Sequence, residues 1–294
     1  TLQWDPEITA FTAPGLPEKL PPALPSDTVA GTLDGWFARF GLRPGIPVVV
    51  WSGDNPNSLV GTGAATPGMA GISLGTSDTF FAPMRKFKTD PQGCGHVFGN
   101  PAGGFMSLIC FTNGSLAREA VKEKIKVDWE FFDREALAQT RPGNGGKLML
   151  PYFEPESTPP VLTPGVRRNY AQATAAEEVR AILESQALSL RLHSGWQGEN
   201  FRRIRLTGGA SKSAGFRRIL ADLFQAEIET IQVTNSAGLG AALRAANAVE
   251  HLEFEQLAAM FSRPVEVTHP DPGCAALYRE MLEQFREFER SASH

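Results

Sequence analysis

A repeated order of strand, glycine-rich turn and helix constrains this chain more than any other feature of its sequence. The stretch RRIRLTGGASKSAGFRRILADLF at 202–224 starts with alternating apolar residues, turns at two glycines and continues with apolar residues at helical spacing. It is followed by IETIQV at 228–233, which is typical of a strand, and by SAGLGAALRAANAV at 236–249, which is typical of a helix. Strands that alternate with helices in this way predict an α/β fold.

Two further segments predict strands. The continuous apolar run at 46–51 is the pattern of a strand that is buried on both faces. The stretch GISLGTSDTFFAP at 71–83 contains two short strand-like runs around Gly75-Thr76-Ser77, which predicts a hairpin with a tight turn.

The remaining predictions concern helices and surface segments. Thr174 and Glu177 have the spacing of a capping box, and they start a long helix whose apolar residues share one face. A terminal amphipathic helix is predicted over 278–288, and the small residues of 237–246 predict close packing of a helix against the sheet. The Pro-rich residues 12–27 predict an extended surface segment.

Composition excludes several classes of protein. The net charge of −4 argues against a nucleic-acid partner or an anionic membrane surface, and no apolar run is long enough to span a membrane. The first residues lack the basic and apolar regions of a signal peptide, and three scattered cysteines indicate reduced thiols. A cytoplasmic protein is therefore expected. The five histidines have no metal-ligand spacing, so no metal ligands are predicted within the chain.

Three turns of small residues follow predicted strands, at Gly53-Asp54-Asn55, Gly75-Thr76-Ser77 and Gly208-Gly209-Ala210-Ser211. Glycine lets the backbone approach a ligand closely, and neighbouring hydroxyl and N–H groups suit phosphate oxygens. Each turn alone is equally compatible with ordinary chain reversal. Asp54 also has a structural interpretation, because Asn55 and Pro56 could begin the following helix as N-cap and first residue.

Taken in order, the motifs resemble those of one family. SGDN, SLGTSDT, NGSLARE, and LTGGASKS with the segments after it are similar to the C-terminal half of the FGGY family of carbohydrate kinases. The segments LPPALPSDTVAG, GNGGKL and LADLFQA resemble the eukaryotic-like xylulokinase branch of that family, and the resemblance runs from about Ala13 onward. It implies a ribonuclease H-like fold of the actin and hexokinase type, with two domains and a cleft between them.

The resemblance assigns roles on the acceptor side. The catalytic base of the family is the Asp of its GDN motif, which here is Asp54, and Asn55 would hydrogen-bond the hydroxyls of the sugar. Phosphoryl transfer to a sugar needs a carboxylate that takes the proton of the acceptor hydroxyl.

The resemblance also assigns the nucleotide side. Gly75, Thr76 and Ser77 match the loop that contacts the γ-phosphate, and the turn from Gly208 to Ser213 matches the adenosine motif, in which relatives often have Asn at the position of Ser213. Trp129 would stack on adenine, although a tryptophan of the core is an equally open interpretation. The predicted ATP-binding residues are Gly75, Thr76, Ser77, Trp129, Gly208, Gly209, Ala210 and Ser213.

The resemblance finally implies an activity and its partners. The expected reaction is transfer of the ATP γ-phosphate to a ketopentose, D-xylulose above all, with Mg²⁺ as cofactor. Residues 1–46 would be the tail of an N-terminal sugar-binding domain and a connector, and residues 47–294 the ATP-binding domain. That N-terminal domain is an expected partner, and a homodimer is left open. The alternatives are a kinase for another sugar or polyol, and an actin-like nucleotide-binding module without sugar chemistry.

Overall fold

The computed structural model describes residues 2–292. Most of its strands belong to one seven-stranded sheet, and the others form two short ribbons. In chain order the strands are β1 (Val29–Thr32), β2 (Pro47–Val49), β3 (Met69–Leu74), β4 (Asp78–Met84), β5 (His96–Gly99), β6 (Phe105–Phe111), β7 (Met149–Tyr152), β8 (Gly165–Arg168), β9 (Arg203–Thr207), β10 (Glu227–Ile231) and β11 (Pro264–Thr268).

The large sheet has the order β11-β10-β9-β3-β4-β6-β5. Strands β10, β9 and β3 are parallel, and the other neighbours are antiparallel. Because β3 and β9 are parallel and pair Ser73 with Thr207, the loops that follow them leave the same edge of the sheet side by side. Strand β6 lies two antiparallel steps from β3, so its C-terminal end reaches that edge as well.

The helices cover both faces of the sheet. In chain order they are α1 (Pro6–Thr12), α2 (Asp54–Gly61), α3 (Ser115–Ile125), α4 (Ala136–Ala138), α5 (Ala175–His193), α6 (Ala214–Phe224), α7 (Ser236–Glu250), α8 (Phe254–Phe261) and α9 (Ala275–Ala292).

Two apolar clusters separate the layers. On one face, Ile72 and Leu206 of the sheet pack with residues of α3, α5, α6 and α9. On the other face, Phe81 and Met106 pack with residues of α2, α7 and α8. The alternation of Phe80 and Phe81 between the two clusters follows from the two-residue period of a strand. The result is a three-layer α/β/α arrangement, which agrees with the predicted fold class.

Several local predictions are confirmed. Strands β3 and β4 form the predicted hairpin around Gly75-Thr76-Ser77, and the strand, turn and helix predicted at 202–224 are β9, a 3₁₀ turn and α6. The capping box at the start of α5 is formed, because Thr174 Oγ1 accepts from the Glu177 N–H at 3.3 Å and Glu177 Oε2 accepts from the Thr174 N–H at 2.8 Å. Helix α9 extends beyond the predicted 278–288 at both ends.

The prediction for 46–51 was wrong about burial. Strand β2 pairs only with β1 in a two-stranded ribbon, and Val48 and Trp51 are 43% and 50% exposed. An apolar run predicts that a strand is buried, but it does not indicate which surface buries it. Between Ala13 and Thr28 there is no helix or strand, as predicted for the Pro-rich segment.

The small residues of α7 allow close contact with helix α2, whereas the sequence predicted close contact with the sheet. At Gly240 of α7, the position of a β-carbon would lie 1.8 Å from the backbone oxygen of Asn57 in α2. At Gly61 of α2, it would lie 1.9 Å from the oxygen of Ser236. The two helices therefore cross with their backbones in contact, and only glycine fits at either point.

The predicted boundary between residues 46 and 47 stays a prediction. Thr1, Ser293 and His294, at the outer ends of the two predicted units, lie outside the described residues. Asp27 of the N-terminal segment lies 3.7 Å from Arg244 of α7.

Candidate functional site

Three loops meet where β3, β6 and β9 end. The loop after β3 contains Gly75, the loop after β6 contains Gly114, and the loop after β9 begins at Gly208. The N–H of Ser115 donates to the oxygen of Gly75 at 2.9 Å, which joins the first two loops. Clefts at the C-terminal ends of parallel strands are the usual ligand sites of α/β sheets.

Gly208 makes the close approach of β3 and β9 possible. Its φ is +88°, and a β-carbon there would lie 2.3 Å from the backbone oxygen of Leu74. Gly209 differs, because no heavy atom lies within 4 Å of its β-carbon position and its φ is not positive. Of the two glycines, Gly208 is therefore required by the fold, whereas the space in front of Gly209 is open.

A cavity of about 380 Å³ lies between these loops. It is bounded by β3 and the loop after it on one side, by the turn after β9 on another, and by residues 115–133 on a third. Six of the predicted ATP-binding residues line it: Gly75, Thr76, Trp129, Gly209, Ala210 and Ser213.

Four predicted residues are not part of this lining. Ser77 is exposed in the hairpin turn, and Gly208 directly precedes Gly209. Asp54 and Asn55 form the first turn of α2, where Asp54 is exposed and its Oδ1 accepts from the Asn55 N–H at 2.8 Å. The helix starts two residues earlier than the structural interpretation required, with Gly53 as N-cap and no side-chain cap, so Asn55 does not cap it.

Trp129 is a wall of the cavity and not a core residue. Its side chain is 42% exposed, and its ring contacts the fully buried ring of Phe132 edge-on, with centroids 5.3 Å apart. Lys122 Nζ lies 5.3 Å from the centroid of the Trp129 ring. A half-exposed indole that is supported from behind can stack on a planar ligand.

A buried ion pair forms the floor beneath the hairpin turn. Arg118 donates to both oxygens of Asp78, at 2.8 and 3.1 Å, and also to Gln186 Oε1 at 2.9 Å. Burial raises the pKa of the Asp78 carboxyl, and the charge of Arg118 offsets part of that effect. Gln186 in turn donates to the backbone oxygens of Asn113 and Gly114. The network ties the loops after β3 and β6 to α5.

Two helices begin at the cavity. Ser115 starts α3, and Ser213 caps α6 by accepting from the Phe216 N–H at 3.3 Å. Both serines line the cavity, so the amino ends of two helix dipoles are directed towards it. Free N–H groups and positive dipole ends favour an anionic group, which at α6 is the carboxylate of Asp133 and at α3 could be a phosphate.

Sequence reasoning missed several lining residues, among them Ser115, Arg118, Glu119 and Asp133. The first three lie within the NGSLARE segment, which contributed to the resemblance but was given no role. Asp133 carried no signal of its own. Its position four residues after Trp129, one turn of a helix, is the only feature that could have suggested it.

Within residues 2–292, Cys94, Cys110 and Cys274 are unpaired. The same residues contain no cluster of three or more His, Cys, Asp or Glu that could hold a metal ion. None of the helices in this described part is long and apolar enough to cross a membrane.

Comparison with known proteins agrees with this architecture. The rat xylulose kinase is 34% identical over 305 residues, which cover 98% of this chain and 55% of that protein. The chain thus spans about half the length of the curated relatives that it matches.

Solved structures share the fold. Ligand-bound xylulose kinase from Lactobacillus acidophilus superposes with a TM-score of 0.86 at 19% identity, over 99% of this chain and 61% of that one. Glycerol kinase from Plasmodium falciparum with ADP superposes with a TM-score of 0.77 at 18% identity, over 99% and 60% respectively. Residues 70–249 match the C-terminal domain of the FGGY family of carbohydrate kinases. The chain therefore belongs to the FGGY family, and its strand-end cavity lies within that family's C-terminal domain.

Proposed function

We propose that this chain is the ATP-binding part of a kinase that transfers the γ-phosphate of ATP to D-xylulose, giving D-xylulose 5-phosphate. The observation that carries the proposal is the cavity of about 380 Å³ in which six predicted nucleotide-binding residues converge. The substrate is proposed from the relatives, because the rat protein is named xylulose kinase.

The predicted ATP-binding residues would have different roles according to their position in the cavity. Gly75, Thr76 and Ser77, next to the amino end of α3, would hold the γ-phosphate with backbone N–H and hydroxyl groups. The turn from Gly208 to Ser213 would hold the nucleoside together with Trp129, which lines the same cavity, because Gly209 leaves room for a close approach.

Asp54 would take the proton of the acceptor hydroxyl, and Asn55 would orient the sugar. The carboxylate of Asp54 is exposed at the amino end of α2, where an acceptor hydroxyl could reach it. Neither residue lines the nucleotide cavity, which suits a role on the acceptor side of the transferred phosphoryl group.

Mg²⁺ would accompany the phosphates of ATP and neutralise part of their charge. Asp78 lies next to the phosphate loop, but both of its oxygens are bound by Arg118, so it is not a free ligand. Since residues 2–292 contain no cluster of three or more candidate ligands, we propose that the metal would be held mainly by ATP, with a protein carboxylate from the other half of the kinase.

The other half of the kinase is the partner that we propose for the N-terminal segment. Several large apolar side chains between residues 2 and 51 are exposed, including Trp4, Phe11, Trp36, Phe40 and Trp51. Exposed apolar residues in such number usually mark an interaction surface. Residues 1–46 would connect to that half and residues 47–294 would form the ATP-binding domain. A cytoplasmic location is proposed from the unpaired cysteines.

A kinase for another sugar or polyol is the second candidate. The similarity to a glycerol kinase, at a TM-score of 0.77, means that this fold is also used by proteins named for a different acceptor. The measurement that separates the candidates is acceptor-dependent ADP release by the full-length protein, with D-xylulose, other ketoses and glycerol compared at equal concentrations. D-xylulose should give the highest kcat/KM.

The decisive variant is Asp54→Asn in the full-length protein. Loss of a general base should lower kcat by about 10²–10⁴-fold, while the affinity for ATP stays close to that of the wild type. Glu255→Gln is the matched control, because Glu255 is an exposed carboxylate in the first turn of α8 and should leave turnover unchanged. Near-normal turnover by Asp54→Asn with saturating D-xylulose and ATP would contradict the assignment.

The 294-residue chain provides a second test. It should bind Mg-ATP weakly and release no ADP in response to D-xylulose, since Asp54 is exposed to water in the described residues 2–292. Turnover at an ordinary kinase rate by the chain alone would show that our account of the site is wrong.

A further inference from the structure

Asp133 is a charged side chain in the cavity to which the family motifs give no role. It is half-buried and lies in the segment Phe131–Glu135, where the helix widens into a π-turn, with the Ala136 N–H donating to the oxygen of Phe131. Such turns are rare and occur frequently at functional sites. Asp133 lines the same cavity as Trp129, Gly209 and Ser213.

The neighbours of Asp133 fix what it can do. Ser213 Oγ already accepts from the Phe216 N–H, so its own proton is available for the Asp133 carboxylate. The pKa of Asp133 lies above its ordinary value because burial disfavours the charged form, and the hydrogen bond from Ser213 and the charge of Arg118 offset part of that effect. An ionised carboxylate only accepts hydrogen bonds and has room for several donors. One bond to Ser213 therefore leaves acceptor capacity for a ligand.

The charge of Asp133 also indicates which part of a nucleotide can lie beside it. A carboxylate repels phosphate groups, which are favoured instead at Gly75 and Thr76 by the amino end of α3. Asp133 follows Trp129 by one helical turn, and Trp129 offers the aromatic surface on which a base can stack. The part of the cavity beside Asp133 and Trp129 thus suits the nucleoside and not the phosphates.

We propose that Asp133 selects the nucleoside by accepting a hydrogen bond from a donor group on it, either the exocyclic amino group of adenine or a ribose hydroxyl. The proposal rests on the nucleotide site of the proposed function and extends it to specificity. Ser213 acts with Asp133 by holding the carboxylate in place.

A purely structural role makes a different prediction. Asp133 lies close to the start of α6, and a carboxylate there could stabilise the helix without touching a ligand. Its replacement would then change thermal stability and the affinity for every nucleotide in the same proportion. Only direct contact changes the ratio between two nucleotides that differ in one donor group.

The experiment is isothermal titration of the 294-residue chain with four Mg-nucleotides: ATP, ITP, 2′-deoxy-ATP and 3′-deoxy-ATP. ITP has a carbonyl where ATP has the amino group, and the deoxy analogues each lack one hydroxyl. The wild type should bind ATP about 10- to 100-fold more tightly than the analogue that lacks the contacted donor. The analogue that is discriminated against identifies whether base or ribose is recognised.

Asp133→Asn should reduce that preference to about threefold or less. If the base is recognised, the preference should move towards ITP, because the amide can donate to the carbonyl. Asp133→Ala, which removes the acceptor altogether, is the second variant and should bring the ratio near one. Glu119→Gln is the control, since it removes a neighbouring negative charge from the same cavity and should shift all four affinities together.

Two results would overturn the inference, and they differ in whether the proposed function is refuted as well. An unchanged ATP preference in both Asp133 variants, with ATP still bound, would refute the role of Asp133 and leave the proposed function standing. No measurable binding of ATP by the wild-type chain would remove the nucleotide site itself, and the role of Asp133 with it.

Discussion

Gly208 and Gly209 are adjacent in sequence, but substitution should affect them in opposite ways. In Gly208→Ala, the residue would have to keep a φ of +88° and place its β-carbon 2.3 Å from the Leu74 oxygen. The backbone strain costs about 1–3 kcal/mol, and the overpacking costs about 1–3 kcal/mol more. A sum on the order of 4 kcal/mol is a large part of the roughly 5–15 kcal/mol that stabilises a typical protein.

In Gly209→Val, the added side chain meets no protein atom within 4 Å of its β-carbon. The free energy of unfolding should therefore change by about 0.5 kcal/mol or less. The same side chain would occupy the space that a nucleoside needs against the turn, so ATP affinity should fall at least about tenfold, or 1.4 kcal/mol.

Thermal unfolding with and without Mg-ATP separates the two effects. At 2–4 °C per kcal/mol, Gly208→Ala should lower the Tm by roughly 8–16 °C without any ligand. At an ATP concentration 100 times the wild-type Kd, the ligand stabilises the wild type by about 2.7 kcal/mol but a tenfold weaker binder by only about 1.4 kcal/mol. Gly209→Val should therefore show a normal Tm and about half the ligand-induced shift. A full shift in this variant would mean that the turn only reverses the chain, and an unaltered Tm in Gly208→Ala would refute the steric reasoning.

Three other outcomes follow from the structure. Arg118→Met should destabilise the protein by about 3–5 kcal/mol in urea denaturation, because it leaves Asp78 buried without a partner, and adding Asp78→Asn should recover part of the loss. The pKa of Glu177 lies below its ordinary value of 4.5, mainly because Lys147 donates a hydrogen bond to its carboxylate. The stabilisation that the ionised carboxylate gives to the folded protein is therefore present above pH 4.5 and is lost as the pH falls through the lowered pKa. The stability difference between wild type and Glu177→Gln should consequently be larger at pH 7 than at pH 3. Gly240→Ala should lower stability by about 1–3 kcal/mol, since its β-carbon would meet the backbone of α2, and a Tm within 1–2 °C of the wild type would contradict the contact.

Local sequence signals predicted the elements of this fold well. The hairpin at 71–83, the strand and helix at 202–224 and the capping box at Thr174 depend on neighbouring residues, and each was found where it was expected. The failures concern contacts across the chain. The apolar run that became β2 gave no indication that it would be exposed, and the glycine of α7 gave none that its partner would be α2.

The candidate site was predictable to the extent that its residues follow strand ends. Gly75 and Gly209 converge because β3 and β9 are parallel neighbours. The alternation of strands and helices predicts parallel strands, but it does not tell which strands are neighbours. Arg118 could not be assigned from spacing, and Asp133 had only its distance of one helical turn from Trp129 as a signal, because α3 and the π-turn bring both residues to the cavity through packing. Asp54 does not line the cavity, and its role as a base stays a proposal.

The contact between α2 and α7 bears on how such a kinase could move. With Gly61 against Ser236 and Gly240 against Asn57, the two backbones interlock at two points, and sliding one helix along the other would force atoms into overlap. A hydrogen bond between the hydroxyls of Ser58 and Ser236 adds a third point. Asp54, at the start of α2, is therefore mechanically coupled to the loop after β10 and cannot be displaced by a hinge between these helices. If Asp54 is the base that we propose, it would move only together with α7, and the acceptor sugar would have to be brought to this pair of helices as a unit.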